Sequence, residues 1–112
     1  MIARALAQRA QILLLDEPTL HLDLYYQLQI LAVLKRLCEE QCITVITVLH
    51  DVNLISLFAQ KALLLSAGRL FGFGAVPETI TEESIRNVLR VDVRTIADAE
   101  SHASYFIPRV SR

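Results

Sequence analysis

Residues Ile12–Thr19 read Ile-Leu-Leu-Leu-Asp-Glu-Pro-Thr, and this run decides how the rest of the chain is interpreted. Consecutive aliphatic residues ended by Pro18 are typical of a short strand buried on both faces of a parallel sheet. Asp16 and Glu17 then fall at the carboxyl end of the strand, where open α/β sheets bind their ligands. One carboxylate there can hold a divalent cation while the other orients a water molecule, as phosphoryl transfer requires. A buried strand that merely ends in an acidic turn explains the run alone equally well.

The composition favours a single globular α/β unit or part of one. Of the 112 residues, 54% are hydrophobic, and the mean hydropathy is +0.43, as expected for a sheet covered by helices. The net charge of −1 gives no indication of a nucleic-acid surface or a polybasic membrane patch. Because no apolar run approaches the ~18 residues of a spanning helix, we expect a cytoplasmic protein.

Helical and strand patterns alternate through the first half of the chain. A short helix is predicted over Met1–Arg9, a second from Leu24 to about Glu40, a strand over Cys42–Leu49 and a third helix from Val52 to about Gln60. Such alternation implies right-handed crossovers and a parallel sheet. Asp16, Glu17 and His50 are therefore expected at the same carboxyl edge.

The second half of the chain reads as hairpins and a helix. Gly72 and Gly74 lie in a Gly-Phe-Gly run that lacks a following Gly-Lys-Ser/Thr, so it predicts a turn and close packing rather than a phosphate cradle. Asp51 is an N-cap for the helix that follows it, and Thr81 is a good N-cap for the later helix. The predicted elements are a hairpin of Lys61–Ser66 with Arg69–Phe73, a helix from Thr81 to about Leu89, and strands at Val91–Ile96 and Ser104–Pro108.

Three short runs resemble motifs of ABC-type ATPases. Leu13–Thr19 with Leu20–Asp23 closely resembles the Walker B segment and D-loop, and Val48–Asp51 resembles the switch motif, or H-loop. Ile2–Leu6 stands where the family has the end of the helix before Walker B. The resemblance covers essentially the whole chain and corresponds to the C-terminal half of a nucleotide-binding domain, so residues 1–112 are interpreted as a partial ABC ATPase domain.

The resemblance implies a fold and a set of site residues. The fold would be the C-terminal part of a P-loop NTPase, a mainly parallel sheet flanked by helices with a small hairpin and helix tail. The cofactors would be ATP and Mg²⁺. Asp16 would help to hold Mg²⁺ through water, Glu17 would be the base that orients the attacking water, and His50 would contact the γ-phosphate. Asp23 would contact the opposite subunit and also cap its own helix.

The resemblance also implies partners. A second nucleotide-binding subunit would form a head-to-tail dimer, transmembrane permease subunits would hold the pair at the inner face of the cell membrane, and no nucleic acid would be involved. Asp51–Leu54 and the C-terminal tail are similar to importers of iron-siderophore, haem and cobalamin complexes. Leu89-Arg90 stands where that group usually has Tyr-Gly, and the cargo itself would be selected by the permease and its binding protein.

Other motifs of the family are not found in the sequence. There is no Walker A (Gly-x-x-x-x-Gly-Lys-Ser/Thr), no Q-loop and no Gly-rich signature, so we expect this chain alone neither to bind ATP tightly nor to hydrolyse it. A sheet edge and a leucine-rich face would be left partly uncovered. The alternatives are a soluble ABC ATPase of translation or DNA repair, and a non-catalytic truncated remnant.

Overall fold

The computed structural model describes residues 11–110, and the helix predicted over Met1–Arg9 lies outside this range. The chain divides after His50 into two compact units. None of the helices in the described range is long and apolar enough to cross a bilayer. The elements are β1 (Ile12–Asp16), α1 (Leu24–Gln41), β2 (Thr44–Val48), α2 (Val52–Phe58), β3 (Lys61–Ser66), β4 (Arg69–Ala75), α3 (Val76–Thr79), α4 (Glu82–Leu89), β5 (Val93–Ala97) and β6 (Ser104–Pro108).

The first unit is built on a parallel pair of strands connected by a helix. β1 and β2 pair in register from Ile12 with Thr44 to Asp16 with Val48. A parallel pair needs a long crossover, and α1 supplies it. The strand–helix–strand order predicted from the sequence is thus confirmed for this unit.

The two faces of this small sheet differ in burial. Leu13 and Leu15 are buried, whereas Ile12 is 59% and Leu14 73% exposed. Successive side chains of a strand point to opposite faces, so one face is covered and the other open. The expectation that β1 is buried on both faces is therefore wrong for this chain. The partly uncovered leucine-rich face is confirmed.

Helix α1 is capped at both ends, by a side chain at its start and by a left-handed residue at its end. The Asp23 carboxylate accepts a hydrogen bond from the Tyr26 N–H at 3.3 Å, which confirms Asp23 as the N-cap. Cys42 is exposed and ends the helix in the left-handed region (φ 54°), so it does not begin the strand as predicted. The buried stripe of the helix is formed by Leu31, Leu34 and Leu37.

The second unit encloses its own core between two antiparallel hairpins and three helices. Ala67 and Gly68 both have positive φ, the turn geometry that matches the twist of β3 and β4. Thr81 and Ser84 form a capping box at the start of α4. The core consists of Ala62, Val76, Ile80, Ile85, Val93 and Phe106.

A carboxylate joins helix α4 to strand β5. Both the main-chain N–H and the hydroxyl of Thr95 donate to Oε1 of Glu82 at 2.9 Å. These two hydrogen bonds favour the ionised form, so they hold the pKa of Glu82 below its usual value.

A side-chain amide fastens helix α2 to the last strand. Oδ1 of Asn53 accepts from the Phe106 N–H at 2.7 Å, and Nδ2 of Asn53 donates to the Phe106 carbonyl at 3.2 Å. The amide thus makes the two bonds that a neighbouring strand would make. The Ser56 hydroxyl adds a third bond, to the Ser104 carbonyl at 2.7 Å. Asp51 caps the same helix through Asn53 N and Leu54 N, as predicted.

Replacing this amide by a carboxylate is expected to destabilise the chain. Asn53→Asp removes the donor to the Phe106 carbonyl and places two acceptors against each other, so the free energy of unfolding should fall by about 1–3 kcal/mol. Urea unfolding followed by circular dichroism measures this change. Asn87→Asp, the same substitution on the exposed surface of α4, is the control and should stay within about 0.5 kcal/mol of the wild type. Equal effects of the two substitutions would contradict the role of the amide.

Candidate functional site

The parallel register brings the predicted site residues to one edge of the first sheet. Asp16 lies beside Val48 at the end of the ladder. The Glu17 N–H donates to the Val48 carbonyl at 3.1 Å, which carries the pairing one residue beyond β1. His50 follows Val48 by two residues. The structure confirms that Asp16, Glu17 and His50 lie together at the carboxyl edge of this sheet.

Glu17 and His50 are in direct contact. Nε2 of His50 meets Oε1 of Glu17, an arrangement in which a ring N–H donates to the carboxylate. The Glu17 side chain is only 26% exposed, whereas that of His50 is 74% exposed. The carboxylate is therefore held against the protein while the imidazole remains open to a ligand. A carboxylate and an imidazole in direct contact can together accept, hold and donate a proton.

The backbone of Glu17 adopts an uncommon conformation. Its φ of 49° lies in the left-handed region, which residues other than glycine, asparagine and aspartate rarely enter. The conformation turns the chain sharply away from β1 immediately after Asp16. Strained residues of this kind concentrate at functional sites, where surrounding contacts hold them.

The side chains at this edge include donors that suit Mg²⁺ but no phosphate cradle. Within residues 11–110, no three His, Cys, Asp or Glu side chains are grouped as a protein-only metal site. Mg²⁺ usually keeps several waters and binds one or two carboxylates together with substrate phosphates, so exposed Asp16 suits it. For the phosphates themselves, the sequence offers no Gly-rich loop with a lysine. The residues of this edge therefore fit Mg²⁺ when the phosphates of the nucleotide are held by a phosphate loop outside this sequence.

Asp23 lies at the far end of the loop that leaves β1. It is exposed, and its carboxylate is engaged as the helix cap described above. Its helix-capping role is thus confirmed, and its expected contact with another subunit stays a prediction.

One residue near the edge was not anticipated from the sequence. Gln27, in the first turns of α1, donates from Nε2 to the carbonyls of Leu22 and Thr19. A signal for it existed: Gln27 lies three residues after Leu24 and four before Leu31, on the side of the helix that the apolar stripe follows. A polar side chain on such a side needs hydrogen-bond partners.

The glycines of the second unit do not form a ligand cradle. Gly72 and Gly74 lie inside strand β4, so the predicted turn is wrong, whereas the predicted close packing is confirmed. A Cβ on Gly74 would come within 3.3 Å of the Thr79 hydroxyl oxygen.

The chain is similar to ATP-binding subunits of bacterial importers. It is 37% identical over 108 residues to the petrobactin import ATP-binding protein FpuC of Bacillus anthracis, covering 96% of this chain and 39% of the relative. It is 39% identical over 101 residues to the iron(3+)-hydroxamate import ATP-binding protein FhuC of Bacillus subtilis, covering 90% and 38%. The chain therefore spans about two fifths of the length of these curated relatives. No protein-family model matches it.

A solved structure agrees with these relatives. A metal-chelate type ABC transporter in an inward-facing conformation aligns with 97% of this chain and 44% of its own, at a TM-score of 0.87 and 32% identity. The fold is accordingly that of the C-terminal part of an ABC ATPase domain. Homologues of the chain are ATP-binding subunits of ABC transporters for siderophore, hydroxamate and cobalamin import.

The strained backbone of Glu17 generates a prediction about stability. Glu17→Gly relieves a left-handed conformation that costs an ordinary residue about 1–2 kcal/mol, and it loses the contact with His50 together with the packing of a side chain that is 26% exposed. The free energy of unfolding should be unchanged or rise by up to about 1 kcal/mol. In contrast, Glu39→Gly, at an exposed position in α1, should lower it by about 1 kcal/mol. Urea denaturation of the two variants tests this, and an equal loss in both would contradict the strain.

Proposed function

We propose that this chain is part of the ATP-hydrolysing subunit of an ABC importer whose cargo is a metal chelate, such as an iron-siderophore, haem or cobalamin complex. The observation that carries the proposal is the contact between Glu17 and His50 at the carboxyl edge of β1 and β2. The similarity to importer subunits supports the cargo class.

The residues of the edge divide the work of hydrolysis. Glu17, held in a fixed position, orients the attacking water and accepts its proton. His50 donates a hydrogen bond to the γ-phosphate, where negative charge develops. Asp16 would help to hold Mg²⁺, and the metal would supply positive charge to the nucleotide phosphates.

The contact between Glu17 and His50 directly links the residue that orients the water to the residue that binds the γ-phosphate. The imidazole of His50 is paired with the carboxylate of Glu17. Its exposure leaves His50 free to turn to a γ-phosphate, and this turn releases Glu17 for the water. The base therefore becomes available when the phosphate is in place.

The proposed assembly follows from the same homology. A second nucleotide-binding subunit faces the exposed loop that ends at Asp23, and permease subunits hold the pair on the cytoplasmic side of the membrane. A role in nucleic-acid binding finds no support in a net charge of −1.

Removing the proposed base tests the function directly. In a complete subunit that contains this chain, Glu17→Gln should leave ATP binding intact and lower the hydrolysis rate by about 10²–10⁴-fold, because the amide cannot accept the proton. Phosphate release and nucleotide binding are measured side by side, with Glu40→Gln on the exposed surface of α1 as the control. A Glu17→Gln subunit that turns over at the wild-type rate would refute the assignment.

The 112-residue chain alone should be inactive. Without a phosphate loop in its sequence, the edge has no group to cradle the β- and γ-phosphates. Calorimetric titration with Mg-ATP is expected to give no binding heat, and phosphate release should stay at background. The complete subunit serves as the positive control. Saturable nucleotide binding by the 112-residue chain would overturn this expectation.

A further inference from the structure

The loop between β1 and α1, residues Glu17–Asp23, is closed by its own main chain. The Leu20 N–H donates to the Glu17 carbonyl at 3.1 Å, and the Leu22 N–H donates to the Thr19 carbonyl at 3.2 Å. Both Glu17 and His21 have positive φ, at 49° and 66°. Two left-handed residues in so short a loop need contacts from outside the loop to keep them in place.

Gln27 supplies such contacts from the helix. Its Nε2 donates to the Leu22 carbonyl at 2.9 Å and to the Thr19 carbonyl at 3.4 Å. One amide group therefore holds the chain on both sides of His21. The Gln27 main chain is fixed in turn, because its N–H donates to the Asp23 carbonyl at 3.0 Å.

Burial of Thr19 also holds the loop in place. Thr19 is 8% exposed, although its neighbour Leu20 lies on the surface. A buried residue whose carbonyl is bonded to the helix cannot shift without losing both kinds of contact. The loop is thus attached to α1 at Thr19 and Leu22, between the two acidic residues at its ends.

We propose that Gln27 is a positioning residue that fixes the directions of Glu17 and Asp23 through the carbonyls of Thr19 and Leu22. The inference rests on the proposed function, which gives those two carboxylates their roles. It requires a side chain with two N–H donors. A glutamate of the same length offers the carbonyls only acceptors, and a methionine offers no donor at all.

Turnover in the complete subunit tests the inference. Gln27→Glu and Gln27→Met should each lower kcat for ATP hydrolysis by about tenfold or more, since small displacements of positioned groups are costly. The KM for ATP should change less than about twofold, because the phosphate loop is untouched. Gln29→Glu is the matched control. Gln29 is exposed, its Nε2 donates among residues 11–110 only to the Tyr25 hydroxyl at 2.8 Å, and its variant should keep the wild-type kcat.

Hydrogen exchange provides a readout that does not depend on hydrolysis. The amides of Leu20 and Leu22 should exchange faster in both Gln27 variants than in Gln29→Glu, because the loop loses its attachment to the helix. The amides of Leu31 and Leu34, in the buried part of α1, should keep their protection. The methionine variant keeps the test decisive if the added charge of Gln27→Glu unfolds the subunit.

The outcomes separate this inference from the proposed function. If Glu17→Gln leaves hydrolysis intact in the same subunit, the proposed function fails. If Glu17→Gln abolishes hydrolysis while both Gln27 variants match Gln29→Glu, the positioning role is wrong and the proposed function stands. A fall in kcat with fully protected Leu20 and Leu22 amides would also overturn the positioning role. A fall in kcat with faster exchange of these two amides supports it.

Discussion

The parallel pairing of β1 with β2 is the constraint on which the candidate site depends. It sets Asp16 against Val48 and lets the Glu17 N–H reach the Val48 carbonyl. A slip of one residue would exchange the faces of the strand, bury Leu14 in place of Leu13, and carry His50 away from Glu17. Hydrophobic burial and catalytic geometry are thus specified by the same register, so neither can change without the other.

Stability and strain are divided between the strands and the loop that follows them. The ladder and the buried leucines of α1 are regular, whereas Glu17 and His21 occupy conformations that ordinary residues avoid. Regular elements around an irregular loop hold it in one conformation and make it available for chemistry. The side chain of Gln27 joins the two parts, since it lies on a helix and bonds to the loop.

Much of this arrangement could be predicted from the sequence, and the exceptions have physical reasons. The structure confirms the features that local signals predicted. These are the strand before Asp16, the β-branched strand before His50, and the caps Asp23, Asp51 and Thr81. The open face of β1 is an exception, because an apolar run indicates hydrophobic residues on both faces of a strand and not what covers them. The bonds of Gln27 and Asn53 depend on main-chain carbonyls and amides elsewhere in the fold, which no local pattern encodes.

The bond between Asn53 and the Phe106 main chain has a consequence for the order of folding. The two residues are separated by 53 positions in the chain, and the core around Phe106 includes residues from Ala62 onward. The chain loses the entropy of closing this long loop before the contact contributes any stability, and this slows folding relative to a local hairpin. During synthesis, the second unit cannot complete its core until β6 has left the ribosome. At roughly 5–20 residues per second, the helix that follows His50 then waits several seconds with its amide side chain unpaired.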